Sequence, residues 1–307
     1  MQQTLKKSIS FTGVCLHSGI NTNVKVHPAP ADTGIKFKRI DLKTSSKENI
    51  IDATVNNIVK SQLCTTVQNK FGNKVSTIEH LMSALHGLGI DNALIDIDSD
   101  EVPILDGSSK IFVNLIDEAG IKHLKSSRKI LKIIRPIILG DKNAFIKALP
   151  AQSFSIDYTI SYDHSLLNHQ KLTLDSFEES IYRDLISNSR TFGFKEDVDM
   201  LLEKGLIKGG SLENAILIDE KGVMNDEELR YPDEFVRHKI LDFIGDIFLL
   251  GKKVEGYFEI YCGGHNLTQE FLKTLMSDHS NWKLINEGPS DIDQRLIKPH
   301  TEISAAI

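Results

Sequence analysis

Two stretches constrain this chain more than anything else in it: EHLMSALHGLG at residues 79–89 and RHKILDFIGDIFLLG at residues 237–251. In the first, Ile78, Leu81, Met82 and Leu85 recur at helical spacing, and in the second Val236, Ile240, Phe243, Ile244 and Ile247 do the same. The spacing predicts helices over 77–88 and about 233–250. Each carries a histidine near its start and a glycine seven residues after it, His80 with Gly87 and His238 with Gly245. Strand-like segments precede each helix, at 8–12, 22–27 and 35–40 in the first half and at 129–139, 144–149 and 154–161 in the second. One more strand follows each helix, at 93–97 and 254–261. The expectation is an α+β fold built from two related α+β domains, 1–125 and 126–307, joined through the polar stretch 123–129. Residues 193–223 break the symmetry, with a helix at 197–204, a Gly-rich turn and a strand at 214–219. They are expected to be an insertion with no counterpart in the first half.

Composition narrows the partners. The chain has 307 residues, 40% of them hydrophobic and 25% charged, with a formal net charge of −6. That balance belongs to a folded chain, and without a dense Lys/Arg block it argues against nucleic acid. The opening MQQTLKKSISF lacks the apolar core of a signal peptide, and no run approaches the ~18 apolar residues of a membrane span. Cys15, Cys64 and Cys262 are far apart and read as reduced thiols of a cytoplasmic protein.

Helical phase supplies the first chemical argument. His80 projects opposite the apolar stripe of its helix, and His238, Asp242 and Asp246 share the face opposite theirs. His238 and Asp242 are i,i+4 neighbours, able to reach one ion. Two imidazoles and a carboxylate suit catalytic zinc, with a fourth position left for water. An i,i+4 His/Asp pair is also what an ordinary solvated helix face looks like, and HKxxD alone is a weak motif. Glu79 beside His80 has two readings: general base for a metal-activated water, or the last member of a Ser76–Glu79 capping box. His265, in CGGHN, is either a general acid held by a carboxylate such as Asp246 or a plain loop histidine. His17, in LHSG, is ambiguous. His86, His300 and the other histidines read as structural or surface residues.

The strings GVCLHSG (13–19), STIEHLMSALHGLGIDNALI (76–95), PILDGSS (103–109), SRTFGF (189–194), GLIKGGSLENAI (205–216), FVRHKILDFIGD (235–246) and GGHNLT (263–268) occur in that order along the chain. Together they resemble the UDP-3-O-acyl-N-acetylglucosamine deacetylases, zinc enzymes of lipid A synthesis in Gram-negative bacteria. The resemblance implies a layered two-domain sandwich with the active site between the domains and the 193–223 insert forming an acyl-chain passage. It implies one Zn²⁺ per chain (Fe²⁺ being the alternative in the cell) on His80, His238 and Asp242. Glu79 is then the base, His265 the acid, Asp246 its orienter and Thr191 a donor to the scissile carbonyl. Phe192 and Lys239 line the substrate site, and Tyr162 stacks on uracil. The expected partner is a nucleotide-sugar lipid, met by a monomer. One departure stands out: members usually carry Lys or Arg three residues before the GGH-type histidine, where it meets the diphosphate, and here that residue is Cys262. A zinc amidase or peptidase with another substrate, or a non-catalytic zinc-stabilised protein, would share the ligand set without the acyl passage.

Overall fold

The computed structural model describes residues 1–45 and 47–287; the remainder of the expected second domain, 288–307 with His300, lies outside the described residues. Six α-helices are present among them: α1 (Glu79–Gly87), α2 (Lys110–Ala119), the single turn α3 (Glu179–Ile181), α4 (Lys195–Glu203), α5 (Glu234–Ile247) and α6 (His265–Ser277). With the several sheets described next, they make the α+β architecture expected.

In the first half a five-stranded sheet runs in the order Ile9–Val14, Asn21–Pro28, Ala93–Ile97, Ile35–Arg39, Ile50–Asp52. Its central strand, Ala93–Ile97, lies antiparallel to Asn21–Pro28 and parallel to Ile35–Arg39. In the second half Lys253–Tyr261 plays the same part, antiparallel to Phe145–Leu149 and parallel to Phe154–Ile160. The outer pairings repeat too: Ile137–Gly140 beside Phe145–Leu149 and Gln170–Leu174 beside Phe154–Ile160. Alternating burial along Phe154–Ile160 and Lys253–Tyr261 shows one face of that sheet turned to the core. The expected single strand 129–139 is broken into Lys129–Ile133 and Ile137–Gly140, because Pro136 has no N–H for a ladder.

The insertion expectation needs correction. The second half does carry an extra three-stranded sheet, Phe192–Phe194, Ile216–Asp219 and Gly222–Val223, with α4 inside it. The first half carries one too, Ile58–Val59, Thr66–Gln68 and Lys74–Val75, at the matching place before its central helix. Strands this short leave almost no alternation to read. The expected linker also shortens, since Ile121–His123 pairs with Gln3–Leu5. Arg128 is tied to Asp91 at 2.7 and 2.8 Å.

Helices α1 and α5 pack against each other, and every residue of α1 is buried. The polar faces that helical phase assigned therefore meet protein, not solvent. Both spaced glycines are explained by this packing. A Cβ at Gly245 would sit 2.1 Å from the Glu79 carbonyl oxygen, and one at Gly87 would sit 2.2 Å from the Tyr182 ring. Any larger residue at Gly245 would push α5 off the start of α1.

Candidate metal centre and active-site cavity

The start of α1 settles one of the two readings of Glu79. Thr77 has φ of +54°, in the left-handed region, so the helix cannot begin there. It begins at Glu79, and Ile78 caps it with no side-chain hydrogen bond. Glu79 is buried, and its Oε2 accepts from the Thr65 N–H at 3.0 Å instead of from its own helix end. The capping box is not formed.

His80, His238 and Asp242 come together, all buried, each with a ligand atom within 4.8 Å of the others'. Among the described residues this is the one such His/Cys/Asp/Glu group. His80 Nε2 and His238 Nε2 lie 3.5 and 3.4 Å from Asp242 Oδ1. The Nδ1 of His238 donates to the Ser189 carbonyl at 3.1 Å, which turns its Nε2 toward the shared point. Asp242 Oδ1 and His80 Nδ1 are buried with no hydrogen-bond partner. A buried, unsatisfied carboxylate oxygen facing two imidazoles is costly unless a cation completes it. The donor set, two nitrogens and one oxygen, fits a divalent transition metal.

Electrostatics at this spot are strongly polarised. Burial pushes His238 down to about 3, against the opposing pull of Asp242. Burial also disfavours the His265 cation, but Asp246, Glu79 and Asp242 outweigh it and lift that imidazole to about 10. Burial raises Glu79 above the ordinary carboxylate range. Asp242 is held well below that range although burial opposes it, by His238, Lys239 and His265. His265 Nδ1 meets Asp246 Oδ2 at 2.8 Å, and its Nε2 lies 3.7 Å from Glu79 Oε1. Helix α6 starts at His265 itself, after the extended Gly264, so the imidazole sits at a helix mouth rather than in a free loop.

Glu79, His80, Asp242 and His265 line a cavity of about 890 Å³. Thr191, Phe192, Lys239, Tyr162 and Cys262 line it as well. Lys239 Nζ lies 3.0 Å from Asp242 Oδ2 and 5.4 Å from the Phe192 ring centre. Tyr162 packs edge-on to Phe192 with ring centres 6.0 Å apart. Much of the remaining wall is apolar, with Val198 and Leu201 from α4, Ile207 and Leu212 from the loop after it, Leu217 from the neighbouring sheet, and Leu16 from the first half. Eight of the ten residues given site roles in the sequence line this cavity; the other two, His238 and Asp246, stand behind it against Asp242 and His265. Sequence reasoning missed Thr65 and the Ser189 carbonyl, and it left undecided His17, which is buried in the wall with both ring nitrogens unpartnered. Only His17 had a local signal, the LHSG turn.

Comparisons with known proteins agree with one another. The family model LpxC, UDP-3-O-acyl N-acetylglycosamine deacetylase, matches residues 2–277. The chain is 45% identical over 281 residues to a UDP-3-O-acyl-N-acetylglucosamine deacetylase of Lawsonia intracellularis, covering 91% of this chain and 90% of that one. It is 42% identical over 292 residues to the enzyme so named in Neisseria meningitidis serogroup C, covering 95% of each. Against that of Idiomarina loihiensis it is 40% identical over 288 residues, covering 92% of each.

Proposed function

The chain belongs to the UDP-3-O-acyl N-acetylglycosamine deacetylase family, and from that premise we propose a division of labour among the residues of its metal centre. The protein is a metal-dependent amide hydrolase that releases acetate from UDP-3-O-acyl-N-acetylglucosamine, in lipid A biosynthesis. His80, His238 and Asp242 hold one metal ion, which we take to be zinc. When bound, the ion lowers the pKa of a coordinated water toward ~7 and polarises the scissile carbonyl.

The remaining steps belong to the chain's own side chains. Glu79 Oε1 accepts a proton from the attacking water, and the raised proton affinity of this buried carboxylate suits a base working near neutrality. The Thr191 hydroxyl donates to the carbonyl oxygen as negative charge develops there. His265 Nε2 delivers its proton to the departing sugar amine, and Asp246 holds the imidazole by Nδ1. Lys239 and Phe192 position the sugar and Tyr162 offers its face to uracil. The apolar wall supplied by α4 and its sheet takes the acyl chain. The first domain, 1–125, contributes Glu79 and His80, and the second, 126–307, contributes the rest. A monomer suffices, because one chain carries every one of these residues. No helix among the described residues is long and apolar enough to cross a membrane, and three free thiols favour the cytoplasm.

One observation carries this reading: an unsatisfied buried Asp242 oxygen between two imidazoles, in a cavity that is also lined by apolar side chains of α4 and its neighbours. The test is acetate release from UDP-3-O-acyl-N-acetylglucosamine of graded acyl length, before and after chelation. Activity should vanish on chelation, return with zinc, and rise with chain length, each buried methylene being worth up to about 0.8 kcal/mol. Indifference to chain length would remove the acyl passage from the account.

A further inference from the structure

Thr65 is fully buried, and none of the steps above uses it. It lies in the first half, between Ile58–Val59 and Thr66–Gln68 of the small sheet, yet it touches both sides of the chemistry. Its N–H donates to Glu79 Oε2 at 3.0 Å. Its hydroxyl donates to Asp246 Oδ1 at 2.6 Å, accepts from Gln269 Nε2 at 3.3 Å, and lies 3.1 Å from His265 Nδ1.

Hydrogen counting makes this arrangement directional. A threonine hydroxyl has one hydrogen and two lone pairs, and an ionised carboxylate only accepts. The hydrogen therefore goes to Asp246, and lone pairs are left for Gln269 and His265. His265 Nδ1 then faces two acceptors, Thr65 Oγ1 and Asp246 Oδ2, the latter at 2.8 Å. Nδ1 must carry a hydrogen, so Nε2 is the nitrogen turned toward Glu79 and Asp242, at 3.7 and 3.8 Å. On the other side, the backbone N–H occupies Glu79 Oε2 and leaves Oε1 facing His265 Nε2.

We propose that Thr65 is a positioning residue for this reaction: through its N–H and its hydroxyl it sets the productive oxygen of Glu79 and, through Asp246, the orientation of His265. The inference rests on the reading of Glu79 as base and His265 as acid. It joins a group on α1, through its backbone, to groups on α5 and α6, through its side chain, so one residue links the two halves at the site.

Steady-state kinetics of the whole protein carrying Thr65→Val or Thr65→Ser test it, with Glu79→Gln measured in parallel and metal content determined for each. Thr65→Val should keep its metal and its KM and lose kcat by about 10- to 100-fold, the usual cost of removing a partner behind an active-site ligand. Thr65→Ser, which restores the hydroxyl, should run close to the unsubstituted enzyme. A serine variant as slow as the valine variant would assign the loss to packing of the methyl group and overturn the proposal. So would an unimpaired Thr65→Val alongside a crippled Glu79→Gln. An unimpaired Glu79→Gln instead removes the base assignment, and this inference goes with it. Should Thr65→Val not fold, imidazole nitrogen NMR of the unsubstituted protein decides: His265 protonated at Nδ1 supports the proposal, and a bare Nδ1 overturns it.

Discussion

Two histidines of α1, His80 and His86, are equally buried against α5 and its continuation, and they are put to opposite uses. His86 donates from Nδ1 to the Ile244 carbonyl at 3.1 Å and stacks on Phe248, ring centres 4.6 Å apart. Among the described residues no carboxylate reaches it, and burial pushes its pKa down to about 4. His80 faces Asp242 and His238, within reach of Glu79 and His265, where every imidazole has a carboxylate in range. Burial at one end makes a neutral packing piece; burial with carboxylates makes a centre that can hold a cation and pass a proton. What separates them is the charge of the neighbours, since depth is the same.

That contrast can be broken first at the metal. His80→Ala and His238→Ala come from different halves but should fail alike, because two remaining protein ligands hold zinc poorly. Each should lose the metal and at least about 10³-fold of activity, consistent with losing the water activation the ion supplies. Full metal occupancy in either variant would remove that histidine from the site.

The His86 end makes a prediction about pH. Its folded pKa is depressed below the unfolded value of ~6.5, so the unfolded chain binds the proton more readily. The stability this supplies is complete above about pH 6.5 and is lost as pH falls toward 4, roughly 3 kcal/mol in all. His86→Phe keeps an aromatic ring on Phe248 and removes the proton. Denaturant unfolding between pH 4 and 7 should show a flatter pH dependence in the variant. An unchanged slope would mean His86 titrates normally and its burial is not what the packing implies.

The smallest effect is expected at the rim. Cys262 lines the cavity beside Gly263 and Gly264, with its thiol 3.6 Å from the Ser161 carbonyl and no basic side chain in its place. Cys262→Lys should lower KM by a few-fold to about tenfold with kcat unchanged, since a contact to diphosphate is made equally in ground and transition states. An unchanged KM would mean that Lys239 already meets the phosphates.

Much of this was legible in the residues, for identifiable reasons. Helical phase put His238 and Asp242 on one face of α5, and paired glycines before His265 marked a turn. The repeated order of strands, helix and strand carried the expectation of a duplication, with the spacing of His80 to Gly87 and of His238 to Gly245 beside it. Phase left the His238/Asp242 pair readable as a plain solvated face, because it cannot tell a face turned to water from one turned to a second buried helix. The capping box failed because a positive φ at Thr77 moves the helix start, and nothing in the string STIE reports that. Thr65 was invisible for a different reason. Its side-chain partners Asp246 and His265 lie 181 and 200 residues away, and a single threonine has no periodicity to betray them. The small sheet at 58–75 escaped notice because its strands are only two or three residues long.

Glu79→Gln tests the central claim, that the carboxylate beside the metal ligands is the proton acceptor and not a structural piece. The glutamine still offers an oxygen to the Thr65 N–H, so the contact at 3.0 Å survives, and the three ligands are untouched. Melting temperature, metal content and KM should therefore stay near those of the unsubstituted enzyme, while kcat falls by ~10²–10⁴, the usual worth of general-base catalysis. A Glu79→Gln enzyme with its metal in place and most of its kcat retained would contradict the account.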